Sequence, residues 1–301
     1  MITDVHTHFW TPGHQRSPWT DGLSRVRRAL AAERIDRVTV ESYRRSVAPA
    51  ERSVVFGLQA RASGIFVPND DVAAFVREVG GSTVGFMSVD PTMHDAVEEV
   101  ERAHEDLGLV GVKLGPIYQG TSPLNPLTLR VFAEAERRGL PVLIHQGAIF
   151  ANAGRLVDAN PLLLDDVAIA FPELKIVIAH LGHPWVEETA VVMRRHTNVF
   201  ADTSAIANRP TMLARGLVAA KEYGVLHKVL FGSDSPMVSA VSSADGLRRV
   251  VQHLDRVSLT TVTEEELHEI LHRPTFELLG IDCPPPRTPV LPDPDLEEQP
   301  S

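Results

Sequence analysis

The feature that most restricts what this 301-residue chain can fold into is a rhythm. Short β-branched or apolar runs alternate with segments whose apolar residues recur every three or four positions. The pattern predicts strands at 2–8, 36–41, 83–89, 110–115, 141–146, 175–180, 197–202 and 228–234. Helices are predicted between them on stripes such as Val72-Ala73-Phe75-Val76-Val79, Val97-Val100-Ala103-Leu107 and Val131-Phe132-Ala135. Gly80, Gly108 and Gly139 stand where these helices should stop, and Asp95, Asn125 and Pro184 near where others begin. Strands joined through helices pair in parallel with right-handed crossovers. Eight such units predict an α/β fold, a (β/α)8 TIM barrel forming one domain over 1–281, with an open doubly wound sheet as the structural alternative.

Two segments break the rhythm. Residues 42–69 make a long excursion after the second predicted strand and are expected to act as a lid or binding loop. There Arg44, Arg45 and Arg52 offer guanidinium groups to a substrate carboxylate, against the alternative of solvated surface charges. Residues 282–301 hold seven prolines and five carboxylates and are expected to form an extended or disordered tail.

Composition narrows the class of function. Hydrophobic residues make up 44% and charged residues 23% of the chain, enough for a sizeable core. A net charge of -10 with no basic-aromatic cluster argues against nucleic acid as a partner. No run approaches the roughly 20 apolar residues of a membrane span, and no secretory leader pattern is present, so no membrane association and a cytoplasmic location are expected. The single cysteine, Cys283, lies in the tail, which argues against a disulfide, a thiolate metal site or a cysteine nucleophile.

The ionisable residues fall at the predicted strand ends: His6 and His8 on the first, Lys113 on the fourth, His145 on the fifth, His180 on the sixth and Asp234 on the eighth. Alternate residues of a strand share a face, so His6 and His8 point the same way and can hold one ion, against the alternative of two surface histidines near a frayed terminus. In a barrel all these ends open on the face that carries the active site. Burying six such groups unpaired costs several kcal/mol each, and a metal site relieves that penalty.

These residues carry a resemblance. Asp4-Val5-His6-Thr7-His8, Gly111-Val112-Lys113-Leu114, Pro141-Val142-Leu143-Ile144-His145, Ala179-His180-Leu181-Gly182-His183-Pro184-Trp185, Asn198-Val199-Phe200-Ala201-Asp202 and Phe231-Gly232-Ser233-Asp234-Ser235-Pro236 follow one family's order from first strand to last. The chain resembles the amidohydrolase superfamily, in the amidohydrolase-related branch that includes aminocarboxymuconate-semialdehyde decarboxylase-like enzymes. The resemblance implies a divalent metal on His6, His8, His145 and Asp234, with His180 as acid/base or carbonyl polariser. It also implies a homodimer. Decarboxylases of the branch carry a glycine-rich run after the strand-six histidine, where this chain has His-Leu-Gly-His-Pro-Trp; His183 is therefore either a loop cap or a further substrate contact. Lys113 stands on the strand where some binuclear relatives bridge two metals through a carboxylated lysine; the decarboxylase-like branch generally does without it, so here Lys113 is expected to contact substrate or pair with a carboxylate.

Three imidazoles and a carboxylate suit zinc, and accept manganese or iron. Such an ion acidifies a bound water toward pKa about 7, and Asp234 and His180 are expected to manage its protons and the developing oxyanion. Metal-dependent hydrolysis of an amide, lactone, thioester or β-keto carbonyl is the first expectation, on a small aromatic or carboxylate-bearing metabolite. Non-oxidative decarboxylation is the alternative. A metal-independent lactonase or a non-catalytic binding barrel is the third.

Overall fold

The computed structural model describes residues 1–16, 37–149, 153–257 and 260–282. Eight parallel strands form the wall: β1 (Thr3–His8), β2 (Arg52–Phe56), β3 (Thr83–Ser88), β4 (Val112–Leu114), β5 (Val142–Ile144), β6 (Ile176–Ile178), β7 (Val199–Asp202) and β8 (Val229–Leu230). Each pairs with the next in chain order. Val5 N donates to Phe231 O at 3.0 Å and His8 N to Ser235 O at 2.7 Å, which joins the last strand to the first and closes the barrel. Helices α1 (Val40–Val47), α2 (Asn69–Val79), α3 (Ala96–Glu105), α4 (Pro126–Arg137), α5 (Leu163–Ala170), α6 (Val186–Arg195), α7 (Pro210–Glu222) and α8 (Ala240–Val257) follow the strands in turn. The open-sheet alternative is thereby excluded.

Strand alternation creates two cores. Val54 and Phe56 face the barrel interior with Val5, Leu143 and Val177, whereas Val55 faces the helices. After α9 (Glu264–His272), the short α10 (Thr275–Leu279) brings Phe276 and Leu279, followed by Ile281, into the interior cluster. It plugs the end of the barrel opposite the site. Among the described residues no helix is long and apolar enough to cross a membrane.

The second predicted strand is corrected. Of 36–41, residue 36 lies outside the described residues, 37–39 are irregular, and α1 begins at Val40. Val38-Thr39-Val40 has β propensity, but Thr39 accepts from Ser42 N at 3.1 Å while Ser42 Oγ accepts from Thr39 N at 2.9 Å. This capping box satisfies orphan helix donors and starts a helix that buries Tyr43 and Val47. The strand lies instead at Arg52-Ser53-Val54-Val55-Phe56.

The excursion 42–69 is consequently not one lid: it contains most of α1, all of β2 and a small hairpin. That hairpin pairs Gln59–Ala60 with Ile65–Phe66 and lies over the barrel mouth, joined to the segment after β1 by a bridge between Gln15 and Ile65. Its arms approach closely, with Val67 N donating to Leu58 O at 3.1 Å. Only a glycine fits at 57, because a Cβ there would lie 2.4 Å from Val67. The predicted tail beyond Asp282, with Cys283, lies outside the described residues.

Candidate metal and acid-base centre

The barrel gathers His6 and His8 from β1, Lys113 from β4, His145 and His180 from just beyond β5 and β6, and Asp234 from beyond β8. They floor one cleft enclosing about 670 Å³ counted to its open mouth. His180 and Asp234 take left-handed backbone conformations, with φ of 58° and 72°. Non-glycine residues pay strain there, and such strain concentrates at functional sites. The conformations are held from outside: Asp202 Oδ1 accepts from His180 N at 3.0 Å, and His6 O accepts from Asp234 N at 2.9 Å.

Hydrogen-bond partners assign the imidazole tautomers. Asp202, at the end of β7, accepts from His6 Nδ1 at 2.8 Å, so His6 turns an unprotonated Nε2 inward. That Nε2 lies 3.3 Å from Asp234 Oδ1, and His8 Nε2 lies 3.1 Å from the same oxygen. His180 Nδ1 donates to Ser204 O at 3.1 Å and lies 2.8 Å from Ser204 Oγ, whose own hydrogen goes to Asp202. The unprotonated Nε2 of His180 then accepts from His145 Nδ1 at 3.2 Å. His145 is left with a buried Nε2 that has no partner among the described residues.

The electrostatics keep His6, His145 and His180 neutral. Burial, reinforced by Lys113 and neighbouring imidazoles, holds His6 and His180 well below the usual histidine range, and burial with Lys113 takes His145 down to about 3. Burial also lowers Lys113 to about 7, opposed by the charges of Asp202 and Asp234; its Nζ lies 3.4 Å from His6 Nε2. Tyr118, beside His145 in the cleft, is pushed upward by burial and stays protonated. Beneath the floor, Asp4 accepts from Ser233 N at 2.9 Å, Ser233 Oγ at 2.6 Å and His6 N at 3.2 Å, while burial raises its carboxyl to about 7.

This donor set fits a divalent cation. Unprotonated imidazole nitrogens facing a carboxylate oxygen repel one another unless a positive charge lies between them, and the orphaned His145 Nε2 is a buried acceptor of the same kind. The ligand atoms of His6, His180 and Asp234 lie within 4.8 Å of one another. The geometry thus groups His180, expected as the acid/base, with two of the expected ligands, and sets His145 one hydrogen bond away.

Other expected contacts lie elsewhere. Arg44 Nη2 donates to Val79 O at 2.7 Å at the C-terminal end of α2, and Arg45, 74% exposed, pairs with Glu41. Both occupy the last turn of α1, which runs from the barrel mouth to the opposite end, so neither lines the cleft. Arg52 pairs with Glu277 at that far end. His183 closes the turn after β6 through its backbone and accepts from Ala148 N at 2.9 Å; its ring is not part of the cleft lining. Asp202 and Ser204 were not singled out by the sequence reading. The available signal was that Asp202 is an ionisable residue at the end of a strand, as the other polar residues are.

A barrel with imidazoles and a carboxylate gathered at its strand ends defines a class of metal-assisted enzymes. Residues 3–281 match the amidohydrolase family, and the chain belongs to it. It is an enzyme of that family. A segment is 33% identical over 115 residues to a dihydroorotase of Helicobacter pylori strain P12, spanning 35% of this chain and 32% of that protein. Among solved structures, a probable 2-pyrone-4,6-dicarboxylic acid hydrolase from Acinetobacter baumannii with citric acid bound is similar at a TM-score of 0.67 and 16% identity, covering 93% of this chain and 99% of that one. A dihydroxybenzoic acid decarboxylase from Polaromonas with bound manganese and 2-nitroresorcinol is similar at 0.63 and 15%, covering 93% and 96%. At these identities the likeness is one of fold.

Proposed function

We propose that the chain is a metal-dependent hydrolase that directs water at a carbonyl carbon of a small metabolite. The observation carrying this reading is the Asp234 carboxylate. It sits on the cleft floor against His6 and His8, and among the described residues no lysine or arginine lies in ion-pair contact with it. A carboxylate neutralised by a guanidinium is a poor base, whereas Asp234 stands ready to take a proton from an attacking water. His6, His180 and Asp234, with His8 and His145 beside them, would hold the cation, for which zinc suits the ligands and manganese is the alternative. When bound, the ion supplies Lewis acidity and a water of lowered pKa. His8 orients Asp234 through their shared contact, Lys113 and the Tyr118 hydroxyl line the path of the developing oxyanion, and the apolar walls exclude bulk water.

Decarboxylation is the second reading, favoured by those same apolar walls, because a carboxylate loses carbon dioxide more readily when desolvated. The fold likeness extends to hydrolases and decarboxylases alike and so supports both. The test supplies protein loaded with zinc or manganese with a panel of lactones and cyclic amides and a panel of hydroxybenzoates. Acid release from the first panel, lost by at least 100-fold in Asp234→Asn, is expected. Carbon dioxide from the second panel with no acid from the first overturns the hydrolase reading. Elemental analysis of protein purified without chelator identifies the metal.

A further inference from the structure

We infer that this site selects a substrate with its reacting group at one end and an uncharged apolar or aromatic body, and rejects one whose body carries a second carboxylate. The inference rests on the reading that the cleft is the reaction site and deepens it. Among the described residues the charged groups and the imidazoles of the cleft lie on its floor: Lys113, His6, His8, His145, His180 and Asp234. Above them the walls are Trp10, Leu58, Ile65, Val67, Tyr118 and Met237. Leu58, Ile65 and Val67 come from the hairpin that lies over the mouth and are at most 7% exposed. Gln15 adds one neutral amide on the strand segment that bridges to Ile65.

The walls cannot readily yield to a charged group. Val67 is locked against Gly57, Leu58 is tied to Val67 through the backbone, and Ile65 is paired to both Ala60 and Gln15. A second carboxylate pressed against them is stripped of water and gains no cationic partner among the described residues, while an aromatic ring gains contact with Trp10 and Tyr118. The arginines of α1, which suggested a dicarboxylate, sit at the other end of the barrel. The hairpin is therefore the specificity element of the site, with Ile65 at its centre.

The test uses metal-loaded full-length protein and two probes differing by one group, benzoate and isophthalate, with binding followed by titration calorimetry. These carboxylates bind without turnover, so the result is independent of whether the enzyme hydrolyses or decarboxylates. Benzoate is expected to bind at least about tenfold more tightly than isophthalate, a difference of about 1.4 kcal/mol. Ile65→Arg, which places a guanidinium in the wall, is expected to reverse that order with the circular dichroism spectrum unchanged. Isophthalate binding as tightly as benzoate to the unaltered protein, or neither probe binding, overturns the inference. So does a folded Ile65→Arg protein that keeps the original order; should that variant fail to fold, the comparison on the unaltered protein decides alone. A benzoate preference without acid release from any lactone sinks the hydrolase reading and leaves the specificity inference standing.

Discussion

Replacing Asp202 by asparagine changes one atom and disturbs two imidazoles. The carboxylate is fully buried and takes four donors: His6 Nδ1, His180 N, Ser204 N and Ser204 Oγ. Asparagine offers one acceptor oxygen and one NH2 group, so in either orientation a donor faces a donor. If the NH2 faces His6, the ring must move its proton from Nδ1 to Nε2, and the nitrogen that faces Asp234 loses its lone pair. If it faces Ser204 and His180, the backbone support of the left-handed turn is lost. Hydrogen bonds to a buried charge contribute about 1.5–3 kcal/mol each, and outer partners of metal-binding histidines govern about 10–100-fold in metal affinity. Asp202→Asn is therefore expected to weaken zinc and manganese binding by about 10–100-fold, or about 1.4–2.7 kcal/mol. Competition against a chromophoric chelator measures it, and nitrogen-15 shifts of labelled histidine report the tautomer of His6. Metal affinity within twofold of the unaltered protein, with His6 still protonated on Nδ1, would refute the argument.

Three further outcomes follow from the geometry. Arg44→Ala should leave turnover unchanged and lower stability by about 1 kcal/mol through the lost bonds to Glu78 and Val79; a large fall in kcat/KM would place this residue in the site after all. Gly57→Ala should destabilise by about 1–3 kcal/mol, because its Cβ would lie 2.4 Å from Val67, and an unchanged melting temperature would disprove the close approach. In metal-free protein, acid should destabilise. His145 is held at about 3 in the folded state against a normal 6.5, so the unfolded chain binds the proton first, and the stability present above 6.5 is lost as pH falls toward 3. By pH 5 this amounts to about 2 kcal/mol for His145, with His6 and His180 acting in the same direction. Asp4, raised to about 7, acts in the opposite sense below 7, so His145→Asn should flatten the decline in a urea-melt series from pH 7 to 5, and Asp4→Asn should steepen it.

The barrel and most of its site were legible because period-two strands ending in ionisable residues leave a mark that needs no tertiary context. His6, His8, Lys113, His145, His180 and Asp234 all stand where that mark puts them. The second strand was not legible because Val38-Thr39-Val40 and Arg52-Ser53-Val54-Val55-Phe56 both carry β propensity. A side-chain cap at Thr39, a contact three residues long, decided between them. Misplacing that strand moved Arg44 and Arg45 to the wrong end of the molecule. Asp202 was missed for another reason: its importance lies in partners about 196 and 22 residues away in sequence, His6 and His180, and no local pattern encodes such a meeting.

The closing seam of the barrel runs directly beneath the centre. His6 O accepts from Asp234 N, His8 N donates to Ser235 O, and the His6, His8 and Asp234 side chains meet just above these bonds. A cation held there by His6, His8 and Asp234 would act as a clasp between the first strand of the sequence and the last, shutting a loop that includes nearly every other element of the fold. Occupancy of the site and integrity of the ring become one equilibrium, so loss of the ion should first loosen the β1–β8 junction, where protection of the Val5 and His8 amides from hydrogen exchange would register it.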